Sequence, residues 1–173
     1  FCQHTGIRIS SREAEDALLH KGTISSIYDE PLNPDPGPGS EIQVKQHLHE
    51  VYGTASPDDI FLCRGGMNAF FAGFMAMNEI QEEKGKDVWI QLGWLYVDTI
   101  RILEKCASSP PIVVNEVSDL QPLKELLKTH GKRVAGIVTE IPTNPLVQTA
   151  DIEQLRKLAN KYKCALILDP TLV

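Results

Sequence analysis

The sequence predicts an α/β fold, in which a mostly parallel sheet carries helices on both faces. Between residues 60 and 169, short apolar runs alternate with longer stretches of helical pattern. The apolar runs show no regular polar alternation, which is typical of parallel strands that are covered on both faces. With 173 residues and 42% hydrophobic content, the chain is also long enough to bury a core. Right-handed crossovers would bring every strand-to-helix junction to one edge of such a sheet.

The N-terminal part predicts a short helix followed by an irregular connection. Ser10 and Glu13 have the spacing of a capping box ahead of the helical stretch AEDALLH. Residues 22–39 are rich in proline and glycine, which favours a loop over any regular element.

A second capping box divides the chain into two predicted parts. Ser40 and Gln43 have the spacing that caps a helix, here expected over roughly 41–52. We therefore expect residues 1–40 to form an N-terminal helix and connection, and residues 41–173 to form most of a larger domain.

The larger domain predicts five strands, each of the first four followed by a helix. The strands are expected at 60–64, 87–92, 112–117, 134–140 and 164–169. The helices are expected at 67–83, 99–106, 119–132 and after a capping box formed by Asp151 and Gln154.

Composition argues against several classes of protein. A net charge of −6 disfavours nucleic acid as a partner, because phosphate binding needs a basic face. No apolar run approaches the ~20 residues that cross a bilayer, and the first residues, FCQHTGIRIS, lack the plan of a signal peptide. Four cysteines without a CxxC pair predict free thiols in a reducing compartment. We expect a cytoplasmic protein without a metal site.

A glycine pair follows the first predicted strand, where open α/β sheets bind their ligands. Gly65, Gly66 and Met67 open a helix there, and free N–H groups at a helix start favour an anion. Taken alone, an ordinary turn is the simpler interpretation of this pair. The segment has neither the GxGxxG fingerprint of dinucleotide-binding domains nor the GxxxxGK[ST] phosphate loop.

An aromatic residue follows the second predicted strand. Tyr96 could cover a flat ring by stacking, although packing in the core or at its rim is the simpler interpretation of this tyrosine taken alone. Asp98 or Thr99 is expected to cap the next helix.

Polar residues end the fourth and fifth predicted strands. Pro142 and Pro145 stiffen the turn EIPTNP, so Asn144 presents its amide from a preorganised loop. Glu140 is open to a direct role, to an ion pair or to accepting a backbone hydrogen bond. Asp169 ends an apolar run, where a carboxylate needs a cationic or N–H partner. Together with the anion cradle and the tyrosine, this set suits a flat heteroaromatic molecule with a phosphate tail.

The segment EIPTNPLVQTADIEQLRKLANKYKCALILDPT resembles the Cys/Met-metabolism family of pyridoxal-phosphate (PLP) enzymes, in which Glu-x-Pro-x-Asn-Pro precedes Asp-x-Thr by one helix and one strand. RGGMNA is similar to that family's Ser-Gly-Met phosphate loop, and LYVDT is similar to its Leu-Tyr-Gly-Gly-Thr segment. Order and spacing agree from about residue 60 to 171. TGIRISSREAEDALL and YVDT together are most similar to the cystathionine γ-synthase branch of the fungal type.

The resemblance implies the large PLP-binding domain of fold type I, aminotransferase-like enzymes and a role for each matching residue. The cofactor-binding residues that it implies are Gly66, Met67, Tyr96, Asn144, Asp169 and Thr171. The first two would hold the phosphate through their backbone N–H groups, and the tyrosine would stack on the pyridine face. The asparagine would bond the phenolate oxygen, and the threonine would have a supporting role. The aspartate would pair with the protonated ring nitrogen and so keep the ring an electron sink. Tyr96 and Asp169 are thus the implied catalytic residues.

The chain also departs from the family pattern. The family's Schiff-base lysine lies beyond residue 173, so we expect part of a longer protein that is inactive and retains PLP weakly by itself. The start on Phe1 and the stop just after a predicted strand agree with that expectation. Where many members carry a Tyr-x-Arg phosphate clamp, this chain has Tyr28-Asp29-Glu30 without an arginine, and Asp-Pro-Thr stands for the family's Asp-Asn-Thr.

The resemblance implies that the full protein joins an activated homoserine to cysteine by γ-replacement, giving cystathionine for methionine biosynthesis. The nearby alternative is β- or γ-elimination of a sulfur amino acid on the same fold. The missing clamp arginine keeps open a non-catalytic relative with an assembly or regulatory role, whereas the absent glycine fingerprint disfavours a nicotinamide-binding domain. The implied partners are small amino-acid substrates and identical subunits in a homodimer or homotetramer, with no nucleic acid or membrane.

Overall fold

The structure is a computed structural model that describes residues 2–27 and 39–172. These residues form two compact units. The N-terminal unit is Gly6–Ala69, and the sheet unit joins Gln3–Thr5 to the residues from Phe70 onward. Most of the predicted loop at 22–39, including the Tyr28-Asp29-Glu30 segment, lies outside the described residues. Among the helices of the described ranges, none is both long and apolar enough to cross a membrane.

The N-terminal unit is helical and irregular. A first short helix, α1, spans Cys2–Thr5 and leads into it. Helix α2 (Ser11–His20) confirms the predicted capping box, because Ser10 Oγ accepts from the Glu13 N–H at 3.2 Å and the Glu13 carboxylate accepts from the Ser10 N–H at 2.9 Å.

Helix α3 spans Ser40–Tyr52, so it begins at Ser40, the residue that was predicted to be its N-cap. Its N-cap is Gly39, in left-handed backbone with φ of 108°, and no side chain caps the helix. Ser40 is already helical, so the predicted Ser40–Gln43 cap is wrong. A glycine with positive φ turns the chain where a side-chain cap would otherwise be needed.

The strand predicted at 60–64 is also wrong. Residues 60–63 have no regular structure, and the four strands of the described ranges pair only with one another. Phe61 is 82% exposed, so the apolar run is not buried here. A strand persists only where its backbone groups find partners, and apolar character alone supplies none.

The sheet unit confirms the α/β prediction. Four parallel strands form a sheet in the order β2-β1-β3-β4. The strands are β1 (Val88–Leu92), β2 (Ile112–Val114), β3 (Val134–Glu140) and β4 (Ala165–Asp169). The helices that precede and connect them are α4 (Gly66–Glu82), α5 (Val97–Cys106), α6 (Gln121–His130) and α7 (Ile152–Tyr162).

Strand β1 shows why both faces of the sheet are apolar. Ile90 and Leu92 belong to a cluster that includes Leu123 of α6 and Leu155 of α7. Trp89 is fully buried and contacts helix α4, where the ring of Phe74 lies 4.8 Å from its own ring. Successive residues of a strand point to opposite faces, so β1 is buried by helices on each side.

Helix α7 confirms its predicted N-cap. Asp151 accepts a hydrogen bond from the Gln154 N–H at 2.9 Å. The Gln154 amide returns to the Asp151 carboxylate at 2.8 Å rather than to its backbone. The cap fixes where α7 begins, and so the length of the turn that follows β3.

Candidate functional site

The carboxyl edge of the sheet carries the predicted ring-binding residues. Strands β3 and β4 pair so that Glu140 lies opposite Asp169, and the Ile141 N–H donates to the Asp169 carbonyl at 3.0 Å. Tyr96 and Asn144 follow β1 and β3 at the same edge. The topology therefore gathers Tyr96, Asn144 and Asp169 in one part of the sheet unit.

The loop after β1 depends on a glycine. Gly93 has φ of 79°, and its N–H donates to the Val114 carbonyl at 2.7 Å. A Cβ at this position would lie 2.5 Å from Cγ1 of Val117. Only glycine meets both conditions, and the loop that begins at Gly93 leads to Tyr96, whose N–H donates to the Glu140 carboxylate.

Tyr96 is the N-cap of helix α5, with no side-chain cap. The prediction that Asp98 or Thr99 caps this helix is wrong, because both residues lie inside its first turn. The Tyr96 side chain is 49% exposed, so its ring is available at the edge. Asp98 is buried and lies 2.6 Å from Nδ1 of His4, a contact that no local sequence pattern predicts.

The turn after β3 is folded around Thr143. This residue is buried, its N–H donates to the Gln148 carbonyl at 2.8 Å, and its carbonyl accepts from the Val147 N–H at 2.7 Å. The Gln148 N–H donates to Thr143 Oγ1 at 3.1 Å. Both X-Pro peptide bonds of the turn are cis. The Asn144 side chain is exposed, and it makes no hydrogen bond within the part of the chain that the structure describes.

Glu140 accepts backbone hydrogen bonds from two different loops. Its carboxylate accepts from the Tyr96 N–H and, through the other oxygen, from the Asn144 N–H at 3.1 Å. Burial raises the pKa of the Glu140 carboxyl, the two N–H donors lower it, and the nearby charge of Asp169 raises it further. Of the roles left open by the sequence, the structure shows that of a backbone acceptor.

Asp169 is half-buried at the end of β4. It accepts from the Thr171 N–H at 3.1 Å and from the Thr171 hydroxyl at 2.5 Å. These contacts confirm that an N–H partner accompanies the carboxylate. Within residues 2–27 and 39–172, no lysine or arginine forms an ion pair with Asp169. The carboxylate thus remains available for a further cation.

Gly66 and Met67 belong to the N-terminal unit and form the first turn of α4. The helix ladder begins with the Ala69 N–H, which donates to the Gly65 carbonyl at 2.9 Å. The N–H groups of Gly66 and Met67 therefore have no partner within the helix. Their predicted contact with a phosphate stays a prediction.

The groups at the carboxyl edge fit a protonated, flat heteroaromatic ring. An exposed aromatic side chain lies at the end of β1, and within the described ranges the amide after β3 has no partner and the carboxylate at the end of β4 has no counter-ion. The aromatic side chain can stack on the face of such a ring, the amide can donate to a substituent oxygen, and the carboxylate can pair with the cationic nitrogen.

Residues 41–173 match the family of Cys/Met metabolism PLP-dependent enzymes. The chain belongs to this family. Pyridoxal phosphate is accordingly the cofactor, and the groups predicted to bind its ring at the carboxyl edge are of the kind that PLP needs.

Two curated relatives are similar over most of this chain. One is the L-2-amino-4-chloropent-4-enoate dechlorinase/desaturase of Streptantibioticus cattleyicolor, 37% identical over 172 residues, which are 98% of this chain and 34% of that protein. The other is the cystathionine γ-synthase of Neurospora crassa, 33% identical over 80% of this chain and 23% of that protein. The chain thus spans about a third or less of the length of these relatives.

Solved structures support the same fold. The acetylornithine aminotransferase of Elizabethkingia anophelis matches 96% of this chain and 44% of its own, with a TM-score of 0.51 and 14% identity. The β-phenylalanine aminotransferase of Variovorax paradoxus matches 92% of this chain and 36% of its own, with a TM-score of 0.50 and 16% identity. The family's fold type I architecture, expected from the sequence, is confirmed.

Proposed function

We propose that this chain is the PLP-binding part of a trans-sulfuration enzyme that replaces the γ-substituent of an activated homoserine with cysteine, giving cystathionine. The observation that carries the proposal is the convergence of Tyr96, Asn144 and Asp169 at one edge of a family-matched domain. The Neurospora relative, named for cystathionine synthesis, supports this choice of reaction.

Each residue has a separate task in the proposal. A bound PLP ring that is protonated at its nitrogen withdraws electrons from the substrate, which is the chemistry the cofactor supplies. Asp169 holds the proton on that nitrogen, and Thr171 holds Asp169 in place through its hydroxyl. Tyr96 covers one face of the ring, and Asn144 donates to its phenolate oxygen. Gly66 and Met67 contribute backbone N–H groups to the phosphate.

A second candidate is elimination on the same fold. It is favoured by the Streptantibioticus relative, which is named for a dechlorination and desaturation. The substrate in that name carries its amino group on carbon 2 and its chlorine on carbon 4, the γ-carbon. Replacement and elimination at the γ-carbon both include loss of a γ-substituent, so the same edge serves either reaction.

The test uses the full-length parent protein loaded with PLP. Incubation with an O-acylhomoserine and cysteine is expected to yield cystathionine, measured by mass spectrometry. Release of ammonia and a 2-oxo acid without cystathionine would favour elimination. Absence of turnover together with absence of bound PLP would favour a non-catalytic relative that serves as an assembly or regulatory scaffold.

The proposal extends to the substrates, the cellular location and the subunit number of the whole protein. We expect amino-acid substrates, a cytoplasmic location, and a homodimer or homotetramer, all by analogy with the family. Size-exclusion chromatography with light scattering would measure the subunit number.

A further inference from the structure

One buried carboxylate links two loops that are far apart in the sequence. Glu140, which is 6% exposed, accepts from the N–H of Tyr96 on the β1–α5 loop and from the N–H of Asn144 on the β3–α7 turn. These are the two loops that carry the predicted stacking ring and the predicted phenolate donor. We infer that Glu140 is a positioning residue, which fixes Tyr96 and Asn144 relative to each other and thereby sets the orientation of the cofactor ring. The inference rests on the proposed function and deepens it.

Both hydrogen bonds to Glu140 come from backbone N–H groups, so they fix the backbone positions from which the Tyr96 and Asn144 side chains extend. Tyr96 is the N-cap of α5, so holding its N–H fixes the point at which the helix leaves the loop. Holding the N–H of Asn144 likewise fixes its backbone within the turn that is folded around Thr143. Tyr96 and Asn144 would contact the cofactor ring from two loops. A displacement of either side chain by a fraction of an ångström would weaken its contact with the ring, because binding depends on precise placement.

A carboxylate suits this position better than a neutral side chain. It offers two acceptor oxygens and no donor, and two N–H groups face it. Bonds to a charged acceptor are stronger than bonds to a neutral one. Burial disfavours the charge of Glu140 and raises its pKa, so stability alone does not explain the choice of residue. The presence of a glutamate at this position is explained by the two loops that its carboxylate joins.

The decisive variant is Glu140→Gln in the full-length parent, because glutamine has the same shape but turns one acceptor into a donor. One of the two backbone N–H groups then faces an amide NH₂. Glu140→Ala, which removes both acceptors, completes the series. The matched control is Glu116→Gln, a carboxylate that follows β2 and accepts local bonds from Ser118, two residues further along the chain.

Three quantities separate positioning from a general loss of fold. They are the dissociation constant of PLP for the apoprotein by equilibrium dialysis, the visible circular dichroism of the bound cofactor, and the thermal midpoint of the apoprotein. We expect Glu140→Gln to weaken PLP binding about 10-fold, the scale of one lost bond to a charged acceptor. Its circular dichroism band should shrink, while the apoprotein midpoint stays near that of the wild type. Glu140→Ala should weaken binding further, and Glu116→Gln should match the wild type.

Wild-type affinity and an unchanged dichroism band in Glu140→Gln would overturn the inference. The isosteric variant decides alone if Glu140→Ala does not fold. Failure of the wild-type full-length protein to bind PLP would instead refute the proposed function, so the two failures are distinguishable.

Discussion

Gly136 lies directly against the indole of Trp89 in the middle of the sheet. A Cβ at Gly136 would be 2.3 Å from Cζ3 of Trp89, inside any allowed contact. Trp89 has little freedom to move, because its Nε1 donates to Asn78 at 2.7 Å and the Phe74 ring packs on it. We expect Gly136→Ala to destabilise the full-length protein by about 1–3 kcal/mol, the range for overpacked cores. The thermal unfolding midpoint would fall accordingly.

A second glycine provides the control. Gly73 lies in the interior of helix α4, and a Cβ there would meet nothing within 4 Å. Gly73→Ala should be neutral or stabilising by up to about 1 kcal/mol, since alanine favours the helix. Equal midpoints for the two variants would contradict the packing argument at Gly136.

Asp169 combines a structural and a chemical role, and a substitution separates them. Asn at this position retains an oxygen for the Thr171 hydroxyl and N–H, but its neutral amide does not favour a proton on the ring nitrogen. We expect Asp169→Asn in the full-length protein to lower kcat by about 100-fold or more, the scale of losing one preorganised electrostatic partner. Far-ultraviolet circular dichroism should be unchanged. Normal turnover in this variant would refute the role given to Asp169.

At the scale of single elements, helix α2 depends on one carboxylate. Glu13 accepts from the Ser10 N–H and forms a two-pronged ion pair with Arg64, at 2.6 and 2.7 Å. The Ser10 N–H first, and then Arg64, lower the pKa of Glu13 to about 2. Because this folded pKa lies below the usual glutamate pKa of 4.5, the contribution of Glu13 to stability is complete above pH 4.5 and is lost as the pH falls toward 2.

Carboxyl-carbon NMR of Glu13 would measure this pKa directly. We expect Arg64→Gln to raise the pKa only part of the way to 4.5, since the Ser10 bond is the larger cause of the shift. The α2 amide signals should change over the same acidic range. A wild-type Glu13 that titrates near 4.5 would show that the capping box is not formed in solution.

The elements that could be predicted are those specified by neighbours in sequence. The caps of α2 and α7 join residues three apart, so the pattern predicts the full capping box of Ser10 with Glu13 and the N-cap bond of Asp151 with Gln154. Strand β3 was expected at 134–140, where it is found, because an unbroken apolar run ends at a turn of two prolines. The edge position of Tyr96, Asn144 and Asp169 follows from parallel topology alone.

The features that the sequence did not predict depend on contacts distant in sequence or on backbone geometry. The run at 60–64 has strand composition but no pairing partner among the described strands. Gly39 caps α3 through its left-handed backbone, which the Ser40 spacing does not reveal. Glu140 reaches Tyr96 across 44 residues, and His4 reaches Asp98 across 94. No periodicity or local motif encodes such bonds.

At the scale of the sheet unit as a whole, charge is separated between the two edges of the sheet. The carboxyl edge carries Glu140 and Asp169. The opposite edge borders a cavity of about 940 Å³, whose basic lining residues are Lys86, Lys128, Lys132, Arg133, Lys161 and Lys163. Part of this charge is structural, because Lys86 Nζ donates to the Tyr162 and Lys163 carbonyls and Arg133 pairs with Asp87. A concentration of lysines therefore lies on the side of the sheet away from Asp169.

The separation of the lysines from the carboxyl edge predicts how the 173 residues by themselves react with PLP. An aldehyde bonds any accessible lysine weakly, but a specific adduct needs a lysine beside the ring site, and the family resemblance implies that this lysine follows residue 173. We expect PLP and borohydride to label the isolated chain sparsely, on lysines of the basic edge such as Lys132, without dependence on Asp169. The full-length protein should instead carry one label, on a lysine outside these residues, that Asp169→Asn diminishes. Peptide mass spectrometry locates the label in both proteins. Stoichiometric labelling of one lysine within the isolated chain, lost in Asp169→Asn, would mean that these residues already contain the complete site.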